Sequence, residues 1–253
     1  MNILAEHLRY APGGTFDSPR EIVRDLSLRV GTGECLGVIG REGSGKTTLL
    51  NLLGGLIAPS SGSVIADGVN MHADTPAARD VRRKIGFTFQ FPEEQFLSAT
   101  VEEEFASLFR LRGIPETEWA DRRRASLRAA GLDAAADGQR SPFSLSLGES
   151  RRLALALIGA IRPAAAFLDE PTSGLDAQGA ASAGTIVRDL LRRGTTVLMA
   201  THDLGFAAGV TGRVIVLGDG GIAAEGTAAA VLGDAALLAA HGYSVPRRVA
   251  GRR

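Results

Sequence analysis

Eight residues near the start of the chain, Gly40-Arg41-Glu42-Gly43-Ser44-Gly45-Lys46-Thr47, fit the spacing G-x-x-x-x-G-K-[ST]. Their types answer one chemical need, the binding of a row of phosphates. Glycines let backbone N–H groups curl around phosphate oxygens. A helix opening at the end of the loop, through Lys46, Thr47 and Thr48, adds the positive end of its dipole. Lys46 offers a cation to β- and γ-phosphates, and Thr47 offers a hydroxyl to Mg²⁺. The flanks agree with this reading. Residues 35–39 are a short apolar run of the buried-strand type, and residues 47–57 carry leucines at helical spacing before Pro59. A glycine-rich turn formed by chance would lack such flanks.

A second constellation closes another apolar run, Phe167-Leu168-Asp169-Glu170. Two adjacent acids at a strand end are commonly only solvated. Beside a phosphate loop another reading opens: Asp169 holds Mg²⁺, directly or through water, and Glu170 polarises the attacking water. Alternation along a strand points the two side chains in different directions, so the roles do not conflict.

The elements that must position these groups follow from the pattern. Residues 22–30 alternate as a strand, residues 31–33 turn, and the strand, loop and helix described above come next. Thr100 and Glu103 have the spacing of a capping box, followed by Val101, Phe105, Leu108 and Phe109 at helical spacing. A further helix is predicted over 115–130, ending at Gly131, which makes a mostly helical insertion over about 91–145. Alternation then resumes: strand 164–168, helix 177–193, strands 195–200 and 213–217, and a tight turn at Asp219-Gly220-Gly221. Repeated βα units imply an α/β fold with a largely parallel sheet covered by helices.

Composition narrows the class. At 253 residues the chain can bury a substantial core without disulfides, and its one cysteine, Cys35, fits a reducing compartment. Lysine plus arginine equal aspartate plus glutamate at 28 each, so no nucleic-acid-binding face is expected. The first residues show no basic region followed by a long apolar run, so no signal peptide is expected. The most membrane-like stretch, 153–168, is interrupted by Arg162 and Pro163. Any membrane role is expected to come through a partner.

With these residues in place the chain resembles the nucleotide-binding subunits of ABC transporters, over about residues 3–232. Gln90 looks like the lone glutamine at the junction with the helical subdomain, and Leu145-Ser146-Leu147-Gly148-Glu149 like the signature usually written LSGGQ. Ser173-Gly174-Leu175-Asp176 is similar to the dimer-contact loop, and His202 to the switch histidine that senses γ-phosphate. Tyr10 sits where the family places an aromatic that stacks on adenine. Each alone has a plainer reading: a surface glutamine, a solvated histidine, a packed tyrosine. Together they occur in the family's order. The resemblance implies a P-loop NTPase core (1–90 and 146–232) with an N-terminal antiparallel β part and an inserted helical subdomain (about 91–145), and a tail over 233–253. It implies ATP and Mg²⁺ as cofactors, with Thr47, Gln90 and Asp169 toward the metal and Glu170, His202 and Gln90 in hydrolysis. Tyr10, the loop residues 40–48 and Asp176 fall to ATP, while Ser146 and Gly148 complete the partner subunit's site.

A narrower resemblance rests on Phe89-Gln90-Phe91-Pro92-Glu93-Glu94-Gln95 and on residues 140–152, RSPFSLSLGESRR. These are similar to the ATPases of energy-coupling factor transporters, which import vitamins or transition-metal ions. That implies a second ATPase subunit, identical or paralogous, a transmembrane coupling protein and a membrane substrate-binding protein, with this chain peripheral on the cytoplasmic face of the cell membrane. The signature departs from the pattern at Leu147 and Glu149. Leucine is costly there if the backbone requires positive φ. Glutamate suits a capping box but brings negative charge near phosphate. Other readings are an ATPase of another transporter class, a soluble ABC ATPase of DNA repair or translation, and a non-hydrolysing regulatory module. Residues 89–95 speak against the first, the absence of long insertions or tandem domains against the second, and Glu170 and His202 against the third. A GTPase would carry an NKxD motif, which this sequence lacks.

Overall fold

The computed structural model describes residues 1–13 and 21–243. β1 (Ile3–Tyr10) and β2 (Val23–Val30) place apolar side chains inward and pair antiparallel, with Ile3 opposite Val30. β3 (Cys35–Gly40), buried at every residue, leads into α1 (Lys46–Leu53). β4 (Ser61–Ala66), β5 (Val69–Asn70), α2 (Pro76–Arg82) and β6 (Ile85–Thr88) follow. A helical stretch comes next: α3 (Val101–Leu111), α4 (Glu116–Ala129), α5 (Ala134–Asp137) and α6 (Leu147–Ile161), with 3₁₀ turns at Pro92–Gln95 and Pro142–Ser144. The alternation resumes with β7 (Ala165–Asp169), α7 (Ala177–Arg192), β8 (Thr196–Ala200) and α8 (Leu204–Val210). A hairpin of β9 (Arg213–Gly218) and β10 (Gly221–Thr227) precedes α9 (Ala228–Gly233) and α10 (Ala235–Ala240).

Six strands form one sheet in the order β10-β9-β3-β8-β7-β6. All pairings from β9 to β6 are parallel, and β10 is an antiparallel edge. The second sheet, β2-β1-β4-β5, is antiparallel. The α/β class expected from the sequence, with its antiparallel N-terminal part and helical insertion, is the observed one. β7 explains why the central strands read as unbroken apolar runs. Ala165 and Phe167 face the core between the two sheets, while Ala166 and Leu168 face the core under the helices. A strand buried on both faces has no polar side to show.

Two local outcomes, the end of α1 and the short helices α2 and α8, differ from the sequence expectation, while the membrane-like run breaks at Arg162 and Pro163 as expected. α1 stops at Leu53 rather than near residue 57, because Gly55, just past the cap, turns the chain into left-handed backbone at φ +76°. The membrane-like run is split into a buried helix, α6, and β7. The break comes at Arg162, with φ +49°, and Pro163. α2 and α8, each seven residues long, were too short to leave a clear period. Among the described residues, no helix is long and apolar enough to cross a membrane.

Candidate phosphate-binding site

Register brings the site together. Asp169 of β7 pairs with Ala200 of β8, Val38 of β3 pairs with the same Ala200, and Gly40 pairs with Leu217 of β9. The carboxyl ends of these parallel strands therefore form one edge, the side on which open α/β sheets bind ligands. A cleft of about 560 Å³ opens there, lined by Gly40, Glu42, Gly43, Gly45, Lys46, Thr47, Thr48, Gln90, Asp169, Glu170, Ser173, His202 and Ile22.

The loop is shaped as phosphate binding requires. Gly43 and Gly45 have φ of +77° and +94°, where side chains with a Cβ are strained. No side chain caps α1, so its first-turn N–H groups remain available to a ligand. The Ser44 hydroxyl is buried without a partner, a donor waiting for an acceptor. Lys46 Nζ donates to the Gly40 and Arg41 carbonyls at 2.9 and 3.0 Å. Burial lowers its pKa, against the pull of Glu170, Asp169 and Glu42. Arg41 turns away from the cleft and donates to the Ala240 carbonyl at 2.9 Å.

The two acids part as expected. Thr47 Oγ1 donates to Asp169 Oδ2 at 2.7 Å. Burial raises the Asp169 pKa, and the Thr47 hydrogen bond opposes that rise. This pairing of a hydroxyl and a carboxylate, with Gln90 on the same wall, is a set of hard oxygen donors. It fits Mg²⁺, which uses one or two carboxylates and takes its other ligands from phosphates and water. Glu170 Oε2 instead accepts from His202, from Nδ1 at 2.8 Å and from the backbone N–H at 3.3 Å. Glu170 sits at φ +49°, a conformation costing on the order of 1–3 kcal/mol that surrounding contacts must hold. Three do so: its N–H donates to the Ala200 carbonyl at 2.9 Å, and its carbonyl accepts from Arg151 and from the Ser173 N–H at 3.2 Å.

Arg151 is a residue that sequence reasoning passed over. It is only 5% exposed, and its guanidinium also donates to the Gln90 carbonyl at 2.8 Å. One side chain of α6 thus ties the end of β6 to the end of β7. The available signal was the pair Arg151-Arg152 behind the signature; only the helix register shows which of the two turns inward. Arg152 donates to the Ala130 and Gly131 carbonyls instead. Tyr243 was likewise unforeseen, and its hydroxyl meets Gly40.

Tyr10, Asp176, Ser146 and Gly148, also expected as ligands, lie outside this chain's own cleft. Tyr10 ends β1, half-buried against the core between the sheets, and Ile22, whose N–H donates to the Tyr10 carbonyl at 2.8 Å, reaches the cleft wall. Asp176 caps α7, accepting from the Gly179 N–H at 2.7 Å. Ser146 caps α6 in a capping box with Glu149, and Gly148 faces Gly174 and Leu175 of the neighbouring loop. Leu147 occupies the first helical position, and it is absent from the residues of positive φ, so leucine carries no backbone cost there. Its side chain is 52% exposed and reaches toward Gly174. Glu149 is held by Arg140, whose guanidinium donates to both carboxylate oxygens at 2.9 and 3.4 Å. The Arg140 bonds, then the Ser146 N–H, pull its pKa down to about 2. The negative charge expected beside phosphate is therefore paired within the chain.

The sequence profile of the ABC transporter family matches residues 23–173. The energy-coupling factor transporter ATP-binding protein EcfA2 of Clostridium perfringens is 36% identical over 98% of this chain and 87% of its own length. The cobalt import ATP-binding protein CbiO of Rhodobacter capsulatus is 38% identical over 96% and 85%. Among solved structures, a dimeric ATP-binding cassette in a post-hydrolysis state, bound to ADP and Pi, superposes with a TM-score of 0.80. It is 28% identical, with 89% of this chain and 98% of that one covered. The structure of cbiO1 from Clostridium perfringens, part of the ABC transporter complex cbiONQ, gives 0.75 at 25% identity, with 94% and 93% covered.

Proposed function

Starting from its membership of the ABC transporter family, to which this chain belongs, we propose that it is the ATP-hydrolysing subunit of an importer of the energy-coupling factor type. It is an ATPase, and vitamins or transition-metal ions are the substrate class of the transporter it energises. The observation that carries the reading is the convergence of Lys46, Thr47, Asp169, Glu170 and His202 in one cleft at the carboxyl edge of the sheet.

The geometry supports the following roles. Loop N–H groups and Lys46 hold the β- and γ-phosphates. Thr47, Asp169 and Gln90 would hold Mg²⁺, which supplies positive charge to those phosphates. Glu170 accepts a proton from the attacking water, and His202, bonded to Glu170, stands where the γ-phosphate is sensed. A second ATPase subunit, identical or paralogous, faces this one, so that Ser146 and Gly148 complete its nucleotide site. The core of residues 1–90 and 146–232 carries the nucleotide. The unit over about 91–145 meets a transmembrane coupling protein that itself binds a membrane substrate-binding protein, and the chain is peripheral on the cytoplasmic face. Tyr10 and Asp176 are proposed as adenine and dimer-side contacts, reached when the nucleotide and partner arrive.

The test is Glu170→Gln in the purified transporter. ATP binding is expected to persist while hydrolysis falls by about 10²–10⁴-fold, the usual share of general base catalysis. Lys46→Ala is expected to weaken nucleotide binding itself. Turnover near wild type in the Glu170→Gln transporter would refute the assignment.

A further inference from the structure

Tyr243 belongs to none of the motifs above, yet its hydroxyl meets the first residue of the phosphate loop twice. It accepts from the Gly40 N–H at 2.7 Å and donates to the Gly40 carbonyl at 2.9 Å. The same C-terminal segment is fastened a second time by Arg41, through the Ala240 carbonyl. Glycine suits both ends of the contact: Gly242 has φ +84°, and a Cβ at Gly40 would meet the Leu217 carbonyl at 2.7 Å. The tyrosine ring packs on the core under the helices, so the hydroxyl is presented from a rigid base. Burial raises its pKa, which keeps the proton that the Gly40 carbonyl receives.

The Gly40 carbonyl is also one of the two acceptors that hold Lys46. An ammonium has three N–H donors and Lys46 spends two of them here, so turning further toward the phosphates of a bound nucleotide weakens or gives up a bond to these carbonyls. Either carbonyl keeps another donor when that bond is given up. For Arg41 it is the Ser44 N–H, at 3.1 Å, and for Gly40 it is Tyr243. A buried carbonyl left without any donor would oppose the transfer.

We propose that Tyr243 is a positioning residue for nucleotide binding: its hydroxyl fixes Gly40 and satisfies its carbonyl, so that Lys46 is freed for the phosphates. This rests on the reading of the loop as an ATP site, and it makes the segment from α9 to Tyr243 a determinant of nucleotide affinity. The experiment is ATP binding to the full-length chain with Mg²⁺, by displacement of trinitrophenyl-ATP, in wild type and Tyr243→Phe. The phenylalanine variant is expected to raise the Kd about fivefold, the worth of one hydrogen bond. In the assembled transporter KM rises alike, while kcat at saturating ATP stays at the wild-type value. A purely structural tyrosine would lower the nucleotide-free Tm and leave Kd unchanged, and that result overturns the proposal. A second measurement needs no variant: hydrogen exchange in the wild-type chain with ATP bound. The Gly40 amide is expected to be protected, and fast exchange there also overturns the proposal. A wild-type chain that fails to bind ATP would instead refute the reading of the site.

Discussion

Glu149 stands where the family pattern has a neutral amide, and its neighbours decide what the change means. Arg140 pairs with it and the Ser146 N–H donates to it at 2.8 Å, so the carboxylate is favoured over the acid in the folded chain. Its pKa falls from an ordinary 4.5 to about 2. The sign of the pH effect follows. A depressed carboxylate contributes stability that is full above about 4.5 and is lost as pH falls through about 2. Glu149→Gln is therefore expected to unfold more easily than wild type at neutral pH, with the two converging as pH drops through that window. Urea titrations at several pH values check this. A gap that stays constant with pH would show that the carboxylate acts only as a capping acceptor. Leu147 differs in kind, since its change from glycine leaves the backbone unstrained and puts an exposed side chain on the surface that a second subunit would meet.

At the scale of elements, α6 does more than fill the core. Its first turn is capped by Ser146 and Glu149, its apolar face is buried against α4, α7 and β6, and Arg151 crosses from it to two strand ends. Those two carbonyls belong to Gln90 and Glu170, the residues proposed to help hold Mg²⁺ and to activate the attacking water. The strained backbone of Glu170 is held open by this bond and by β8. Arg151→Lys keeps the charge but cannot reach both carbonyls in a planar fork. It is expected to cost about 1.5–3 kcal/mol of stability, the worth of one hydrogen bond to a charged group. Hydrolysis is expected to fall further than that loss of folded protein explains. Denaturant midpoints and single-turnover rates on the same samples separate the two effects; an unchanged rate per folded molecule would limit Arg151 to packing.

The whole molecule presents a groove between the sheet core and the helical stretch, about 350 Å³, lined by Leu56, Phe87, Gln95, Leu108 and Ile158 among others. Exposed apolar side chains stand near it in sequence and structure: Leu56, Phe91 and Leu97 are 49%, 51% and 89% exposed. At its entry the 3₁₀ turn Pro92–Gln95 buries Pro92 at its first position and leaves Glu93 and Glu94 facing solvent. Both acids suit the dipole of the turn, and both are expected to pair with basic residues of the proposed coupling protein. Changing Glu93 and Glu94 together to lysine is expected to prevent assembly with the membrane partner. ATP binding by the isolated chain should remain. One exposed pair contributes only about 0.2–1 kcal/mol, which is why reversal rather than removal is the informative change. A pull-down with the membrane partner decides, and undiminished assembly would leave the acids as helix caps. Arg247, Arg248, Arg252 and Arg253, whose spacing suits a solubilising tail better than a contact with anionic lipid, lie outside the described residues.

The amino-acid sequence by itself determined what depends on neighbours along the chain. The phosphate loop is such a feature, because its glycines, Lys46 and Thr47 act within one turn. So are the capping box of α3 and the I′-like turn at Asp219 and Gly220, where φ is +49° and +82°. The central strands were legible as strands because burial on both faces leaves an unbroken apolar run. Tertiary structure alone decided the pairings between distant residues. No spacing rule links Thr47 to Asp169, Glu170 to His202, Arg151 to Gln90, or Tyr243 to Gly40. Their contacts exist because parallel register brings the carboxyl ends of β3, β7 and β8 to one edge, and because α6 and α10 pack where they do. It also decided which of two similar neighbours has the inward role, Arg151 over Arg152 and Ile22 over Tyr10 at the cleft wall. A helix or strand pattern fixes a face, but the direction of that face belongs to the packed core.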